Sequence, residues 1–174
     1  ALSTAAASEV DYLNLKLPLV GDHTLHIVSP TLLELKRINS KLPGTAPVES
    51  WNFVDANGAF QAPATTQFAV TIGGVATTVT GVGFKRRPLY APLLVRDLRI
   101  ENSLYLQLAT AVADGALVEV KNPSGLLWPV GDSYTATNDA LRTSAAIHVN
   151  QEGYVPSLPK KAQIGFYAGS LGEL

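Results

Sequence analysis

Residues 67–79 read QFAVTIGGVATTV, and this stretch decides the fold class. Phe68, Val70 and Ile72 alternate with small or polar residues, which is the period of two of a half-buried β-strand. Two adjacent glycines follow, as a two-residue hairpin turn requires, and the alternation resumes on the same face through Val79. The stretch therefore predicts an antiparallel β-hairpin.

Further short strands are predicted on both sides of this hairpin. Alternating apolar residues place them at 93–100, 104–108, 116–121, 134–137, 147–149 and 162–166. Residues 31–42 fit either a helix capped by Ser29-Pro30 or a first strand, and the strand agrees better with the surrounding β pattern. Short strands separated by glycine and proline, without βαβ alternation, predict an all-β fold, an antiparallel immunoglobulin-like β-sandwich.

Composition excludes several classes of function. The chain has 174 residues, of which 47% are hydrophobic and 16% charged, so we expect a folded core. A net charge of −1 provides no cationic field for a phosphate backbone, and no apolar run approaches the roughly 20 residues of a membrane helix. We therefore expect neither a nucleic-acid nor a membrane partner. Because the chain has no cysteine, disulfides and thiolate metal sites are excluded, and no cofactor is predicted. The chain also lacks methionine, so we expect a processed product or a fragment of a longer protein.

The residues that could carry catalysis or bind a metal ion are few. His23 and His26 stand three positions apart, which suits metal ligands on a helix, but residues 22–24 are typical of a loop entering a strand. His148 alternates with Ile147 and Val149, so we expect it on the outer face of a strand. No G-x-S-x-G elbow occurs. The histidines therefore predict no catalytic residue and no metal site.

Charged residues in turn-like segments have two interpretations each. Asp55-Ala56-Asn57-Gly58 could bind calcium, but the distal glutamate of a calcium loop is missing, so a plain turn is the better interpretation. Lys85-Arg86-Arg87 could form a local basic patch with Arg96 and Arg99, although such a run before a proline is usually a solvated turn. The remaining aspartates, which a glycosidase would need as a facing pair, stand in scattered turn contexts: Asp97, Asp114, Asp132 and Asp139.

Aromatic residues in irregular segments could form a platform on which sugar rings stack. The candidates for carbohydrate binding are Trp51, Trp128 and Tyr134. In a sandwich, such rings more often fill the space between the sheets. Both interpretations stay open at this point.

The segment IHVNQEGYVP at 147–156, followed by PKKA at 159–162, carries a family resemblance. It resembles the start of the immunoglobulin-like module that precedes the catalytic barrel of family 9 glycoside hydrolases, the cellulase N-terminal domain, whose pattern is V-N-Q-x-G-Y-x-P and then P-K-x-A. The structural motif residues that match are Asn150, Gln151, Gly153, Tyr154 and Pro156. Gly153 permits a tight bend, Pro156 fixes an extended path, and Tyr154 can pack its ring while its hydroxyl bonds to the backbone.

A weaker resemblance covers the strands at 104–120, which are similar to late strands of immunoglobulin-like or fibronectin-like domains in large bacterial carbohydrate-active proteins. The small apolar residues at 1–7 are similar to the end of a secretory signal, so a disordered leader is expected at 1–21. Together the resemblances imply a sandwich at 22–122 and a connection at 123–145. Residues 146–174 would add strands to the sandwich or begin a second, truncated module. The catalytic carboxylates of family 9 belong to the barrel, so none is matched here.

The resemblance implies a non-catalytic accessory module of an exported bacterial glycoside hydrolase, secreted, periplasmic or at the cell surface. Its partner would be the adjacent catalytic domain of the same polypeptide, which it would orient or stabilise. One alternative is a carbohydrate-binding module that holds a polysaccharide through exposed aromatic rings. A second alternative is a small enzyme that uses aspartates and histidines from separate loops. Open strand edges also predict self-association.

Overall fold

The computed structural model describes residues 18–40, 51–89, 99–142, 144–149 and 153–174. Ten strands lie in these ranges: β1 His23–Ser29, β2 Leu32–Ser40, β3 Ala69–Ile72, β4 Val75–Thr77, β5 Val79–Pro88, β6 Arg99–Leu108, β7 Leu117–Lys121, β8 Ser133–Thr137, β9 Ile147–His148 and β10 Gln163–Ile164. Single 3-10 turns lie at Thr65–Gln67 and Gly169–Leu171. In this described part, no helix is long and apolar enough to span a bilayer.

Eight of the strands form two antiparallel sheets that face each other. One sheet has the order β1-β2-β6-β5 and the other the order β4-β3-β7-β8. These orders correspond to strands A-B-E-D and C′-C-F-G of an immunoglobulin domain. The predicted all-β, immunoglobulin-like sandwich is confirmed. The strand β8 lies within 123–145, the segment predicted as a connection, where the sequence also indicated a further strand, and it pairs with β7.

The hairpin predicted at 67–79 is confirmed for its two strands. Ile72 pairs with Val75 across a turn in which Gly73 and Gly74 have φ angles of 56° and 82°. Such angles are typical of the hairpin turn that matches strand twist. Val79 leaves this sheet, however, because the chain crosses to the opposite sheet and Val79 pairs with Leu108 at the start of β5.

Two ambiguous segments are strands. Residues 32–40 form β2, as the preferred interpretation predicted, whereas residues 41–42 lie outside the described residues. The run Lys85-Arg86-Arg87 belongs to β5, so its interpretation as a solvated turn was wrong. The arginines have partners on two faces of the strand, since Arg86 bonds to Asn102 and Arg87 to Glu101. Of the strand predicted at 93–100, only the last two residues lie in the described part, and they begin β6.

The core fills the space between the two sheets. Leucines of β2 and β6 alternate inward from one sheet, and Val70, Val118 and Val120 face them from the other. An aromatic cluster completes this core: Trp51, Phe53, Phe60, Phe68, Phe84, Trp128 and Tyr134. The other side of the β1-β2-β6-β5 sheet, called the outer face below, turns away from this core.

Candidate functional site

The last part of the chain, called the C-terminal segment below (residues 144–149 and 153–174), packs on the outer face. Its strands β9 and β10 pair with each other as a two-stranded ribbon. Beyond the ribbon, Phe166, Ala168 and Leu171 form a second apolar cluster with Leu32 and Tyr105 of the sheet. Tyr105 alternates with the inward-facing Leu104 and Leu106 and so faces away from the main core, but it is fully buried because this segment covers it.

Two glycines allow the C-terminal segment to approach the backbone of β5. Gly169 has a φ of 61°, and a Cβ at this position would overlap the Phe84 carbonyl group. Gly83 of β5 has Leu171 in the place that a Cβ would occupy. The Phe84 N–H donates a hydrogen bond of 3.0 Å to Ser170 Oγ. The segment is therefore held by close contacts with the backbone of β5, and a larger residue at Gly83 or Gly169 would disrupt them.

A groove lies where the C-terminal segment meets the sandwich. Its cavity volume is about 360 Å³. Three separate stretches line it, from the β1–β2 turn, from residues 140–147 and from residues 164–174: Val28, Ser29, Pro30, Ala140, Arg142, Ser144, Ala146, Ile147, Ile164, Phe166 and Leu174. Most of these side chains are apolar, and Arg142 is the charged residue among them.

Exposed apolar side chains are concentrated around this groove and along the same segment. Fifteen large apolar side chains are exposed in the described part of the chain, and nine of them lie between residues 141 and 174. Ile164, 82% exposed, stands directly opposite Ile147, 56% exposed, in the ribbon. The nine are Leu141, Ile147, Val149, Tyr154, Val155, Leu158, Ile164, Tyr167 and Leu174. Of these nine, Ile147, Ile164 and Leu174 line the groove and so share one surface. Contiguous exposed apolar surface is a feature of interaction sites, whereas single exposed apolar residues are ordinary.

The outer face beside the C-terminal segment carries a buried network of charged groups. Glu34 is only 4% exposed. Its carboxylate accepts hydrogen bonds from the Tyr105 hydroxyl at 2.9 Å and from His26 Nδ1 at 3.1 Å, and Lys36 Nζ lies 4.0 Å away. Burial alone would raise the pKa of Glu34, but the hydrogen bond from His26, the Lys36 charge and the Tyr105 hydroxyl together lower it to about 2.

A second buried carboxylate, Glu101, continues this network. It accepts from Arg87 Nε at 2.8 Å and lies 3.5 Å from Lys36 Nζ. The Lys85 ammonium lies 5.5 Å from the Tyr105 ring centre and 5.3 Å from that of Phe166, and desolvation there lowers the pKa of Lys85. Burial raises the pKa of Tyr105, and the neighbouring Glu34 charge raises it further. Because both carboxylates are paired with cations, the network stabilises the sheet rather than presenting a free acid or base.

The three aromatic residues predicted to bind carbohydrate lie in the core. Trp51 is 4% exposed, Trp128 3% and Tyr134 1%. The indole N–H groups also bond to acceptors within the protein, since Trp51 donates to Leu127 O at 2.8 Å and Trp128 donates to Asp132 O at 3.2 Å. A ring that stacks on a sugar must offer one face to solvent, so the predicted platform of these three residues is corrected to a packing role.

The histidines do not converge. In β1 residues three apart point to opposite faces, so His26 reaches Glu34 on the outer face whereas His23 lies 4.9 Å from the Tyr134 ring. His148 is exposed in β9, as predicted, and its Nε2 lies 3.0 Å from Gly165 O. Among the residues that the structure describes, no group of three or more metal-ligating side chains comes together.

Asp55 and Asp139 serve local turns, whereas Asp114 bonds to a side chain distant in sequence. Asp55 Oδ1 accepts from the backbone N–H groups of Asn57 at 2.8 Å and Ala59 at 2.9 Å, which is the Asx-type turn preferred from the sequence. Asp114 accepts from the Asn138 amide, and Asp139 from the Leu141 N–H. Each of these three carboxylates therefore accepts a hydrogen bond from a protein group. Asp97 and Arg96 lie outside the described residues.

Part of the motif that carries the family resemblance is described. The Tyr154 hydroxyl donates to the Lys161 carbonyl oxygen, a contact of the kind predicted for this residue, and Gly153 has a φ of 98° at the bend. Lys160 Nζ donates to Pro156 O at 3.0 Å, which links the two halves of the motif. Asn150 and Gln151 lie outside the described residues.

Comparisons with known proteins add no relative. No family model matches the chain, and neither a curated protein nor a solved structure matches it. Its function must therefore be argued from the surfaces described above.

Proposed function

We propose that this chain is a non-catalytic accessory module of an exported bacterial glycoside hydrolase of the family 9 type, and that it orients a neighbouring catalytic domain of the same polypeptide. The observation that carries the proposal is the exposed apolar surface of the C-terminal segment. An apolar surface of this kind gains free energy when another protein surface removes it from water.

The location of this surface also favours the proposal. It lies in the same segment that resembles the start of a cellulase N-terminal domain, a module that the resemblance places beside a catalytic barrel. The segment is fixed to the sandwich by Gly83, Gly169 and the Phe166 cluster, so a domain bound to it would take a defined orientation relative to the sandwich.

The two alternatives have less support. A carbohydrate-binding module would need solvent-facing rings, and the three candidate rings are buried. A small enzyme would need convergent acid and base groups in a pocket, whereas Asp55, Asp114 and Asp139 accept hydrogen bonds from protein groups and the carboxylates of the outer face are paired with cations.

Substitution of the apolar surface in the longer polypeptide tests the proposal. Ile164→Lys removes an apolar contact at a position that is 82% exposed, and Leu126→Lys is the matched control at an exposed position remote in sequence from that segment. We expect both variants of the isolated chain to keep the wild-type melting temperature. In the longer polypeptide, Ile164→Lys should lower the melting temperature of the glycoside hydrolase domain by several degrees, whereas Leu126→Lys should leave it unchanged.

Two outcomes would contradict the proposal. One is a reading frame that encodes no glycoside hydrolase domain beside this chain. The other is a longer polypeptide in which Ile164→Lys and Leu126→Lys behave alike, because the apolar surface would then make no contact with the catalytic domain.

A further inference from the structure

The groove between the C-terminal segment and the sandwich combines an apolar lining with one cation. Its volume of about 360 Å³ lies near the lower end of the roughly 300–1,000 Å³ of small-molecule sites, which suits one or two large side chains. Ile147, Ile164 and Leu174 line it and are all more than half exposed, so the apolar lining continues onto the rim. A polypeptide segment can therefore insert an apolar side chain and still contact the rim.

Arg142 is held beside this groove by backbone groups. Its Nε donates to Ile27 O at 3.1 Å and its Nη1 to Asp139 O at 3.0 Å. Both acceptors are neutral carbonyl oxygens, and within the described ranges no carboxylate forms an ion pair with this guanidinium. Lys36 and Arg87 of the outer face, by contrast, are paired with glutamates. The Arg142 charge is thus fixed in position but not neutralised.

We propose that the groove binds a segment of the neighbouring domain that carries a large apolar side chain next to an acidic residue. The apolar side chain fills the cavity, and the carboxylate pairs with Arg142, whose Nη2 makes no hydrogen bond to another described residue. This inference rests on the proposed function and adds the chemistry of the segment that is recognised. Charge complementarity selects an acidic residue over a neutral or basic one.

Titration of the isotopically labelled chain with short peptides, followed by amide NMR shifts, tests this inference. The first probe is a capped tripeptide of leucine, phenylalanine and aspartate. The second replaces aspartate by asparagine, and the third replaces both apolar residues by serine. We expect the first probe to shift the amides of Ala146, Ile147, Ile164 and Phe166 in a saturable way at millimolar concentration. The second should bind more weakly, by up to about fivefold, and the third should cause no saturable shift.

Salt and one substitution separate the charge from the apolar contribution. The difference between the aspartate and asparagine probes should shrink at 0.5 M salt and should vanish in Arg142→Gln, whereas Arg142→Lys should retain part of it. Because the comparison of the two probes uses the wild-type chain, it remains decisive if Arg142→Gln fails to fold.

Equal affinity for the aspartate and asparagine probes, or shifts confined to residues outside the groove, would overturn the inference. Concentration-dependent dimerisation that broadens the same groove amides would also overturn it, since a second copy would then be the occupant. If the peptides fail but Ile164→Lys still weakens the neighbouring domain, only the inference about the groove falls. If Ile164→Lys has no effect there, the proposed function falls independently of the peptide result.

Discussion

Replacement of Glu34 by glutamine should destabilise the sandwich in a strongly pH-dependent way. The carboxylate is buried, and its partners lower its pKa from an ordinary 4.5 to about 2. A group with a lowered pKa in the folded state contributes its full stabilisation above its unfolded pKa and loses it as the pH falls through the folded value. The difference corresponds to about 3 kcal/mol at neutral pH, so we expect Glu34→Gln to lose about that much at pH 7.

The loss has a second physical cause in the geometry. A glutamine amide can still accept from the Tyr105 hydroxyl, but its NH₂ group would face the Lys36 ammonium, which is itself a donor. At about pH 2 the wild-type carboxylate becomes protonated, so the stabilities of the wild type and the variant should converge.

Urea unfolding measured by tryptophan fluorescence at pH 7 and at about pH 2.5 checks this prediction. Trp51 and Trp128 are buried reporters in the core. Glu119→Gln is the matched control, since Glu119 pairs with Lys121 at 2.9 Å on an exposed surface and should contribute less than about 1 kcal/mol. An equal loss in Glu34→Gln at both pH values, or a loss at pH 7 no larger than that of Glu119→Gln, would refute the electrostatic argument.

Three further substitutions test the packing and the turns. Gly169→Ala should cost several kcal/mol and expose the C-terminal segment to limited proteolysis, because its Cβ would overlap the Phe84 carbonyl; Gly153→Ala, with open space around it, should cost about 1 kcal/mol. Trp51→Ala should destabilise the core by about 3–5 kcal/mol in urea unfolding, and calorimetry should detect no difference in oligosaccharide binding between this variant and the wild type. Asp55→Ala should cost about 1 kcal/mol by removing two turn hydrogen bonds, and calcium should not shift the wild-type melting temperature.

The features that were predictable from the sequence depend on residues that are close to each other along the chain. Alternation in β3, β6 and β7 and the two glycines of the hairpin turn specify local backbone conformation, and the structure follows them. The all-β class and its sandwich architecture follow from many such local signals. The strand β8 was indicated by the same alternation even though its segment was assigned to a connection.

The features that were missed depend on contacts distant in sequence. The basic run in β5 is a strand because Arg86 reaches Asn102 and the Trp51 carbonyl, and no local pattern reveals these partners. The burial of Tyr105 depends on Phe166, which lies far along the chain. The residues that flank an aromatic side chain in sequence are similar in the core and at the surface, so the sequence alone did not predict the burial of Trp51.

The stability of the outer face and the proposed docking surface should be coupled. A two-stranded ribbon such as β9–β10 is at best marginally stable in water, so its position must come from packing on the sheet through Phe166, Ala168 and Leu171. That packing rests on Tyr105, whose hydroxyl is held by Glu34. Loss of the Glu34 charge should therefore loosen the C-terminal segment and weaken docking of the neighbouring domain, although Glu34 is buried and is not part of the exposed apolar surface. An exposed substitution such as Ile164→Lys would weaken docking without loosening the segment, so hydrogen exchange of the ribbon amides separates the two effects.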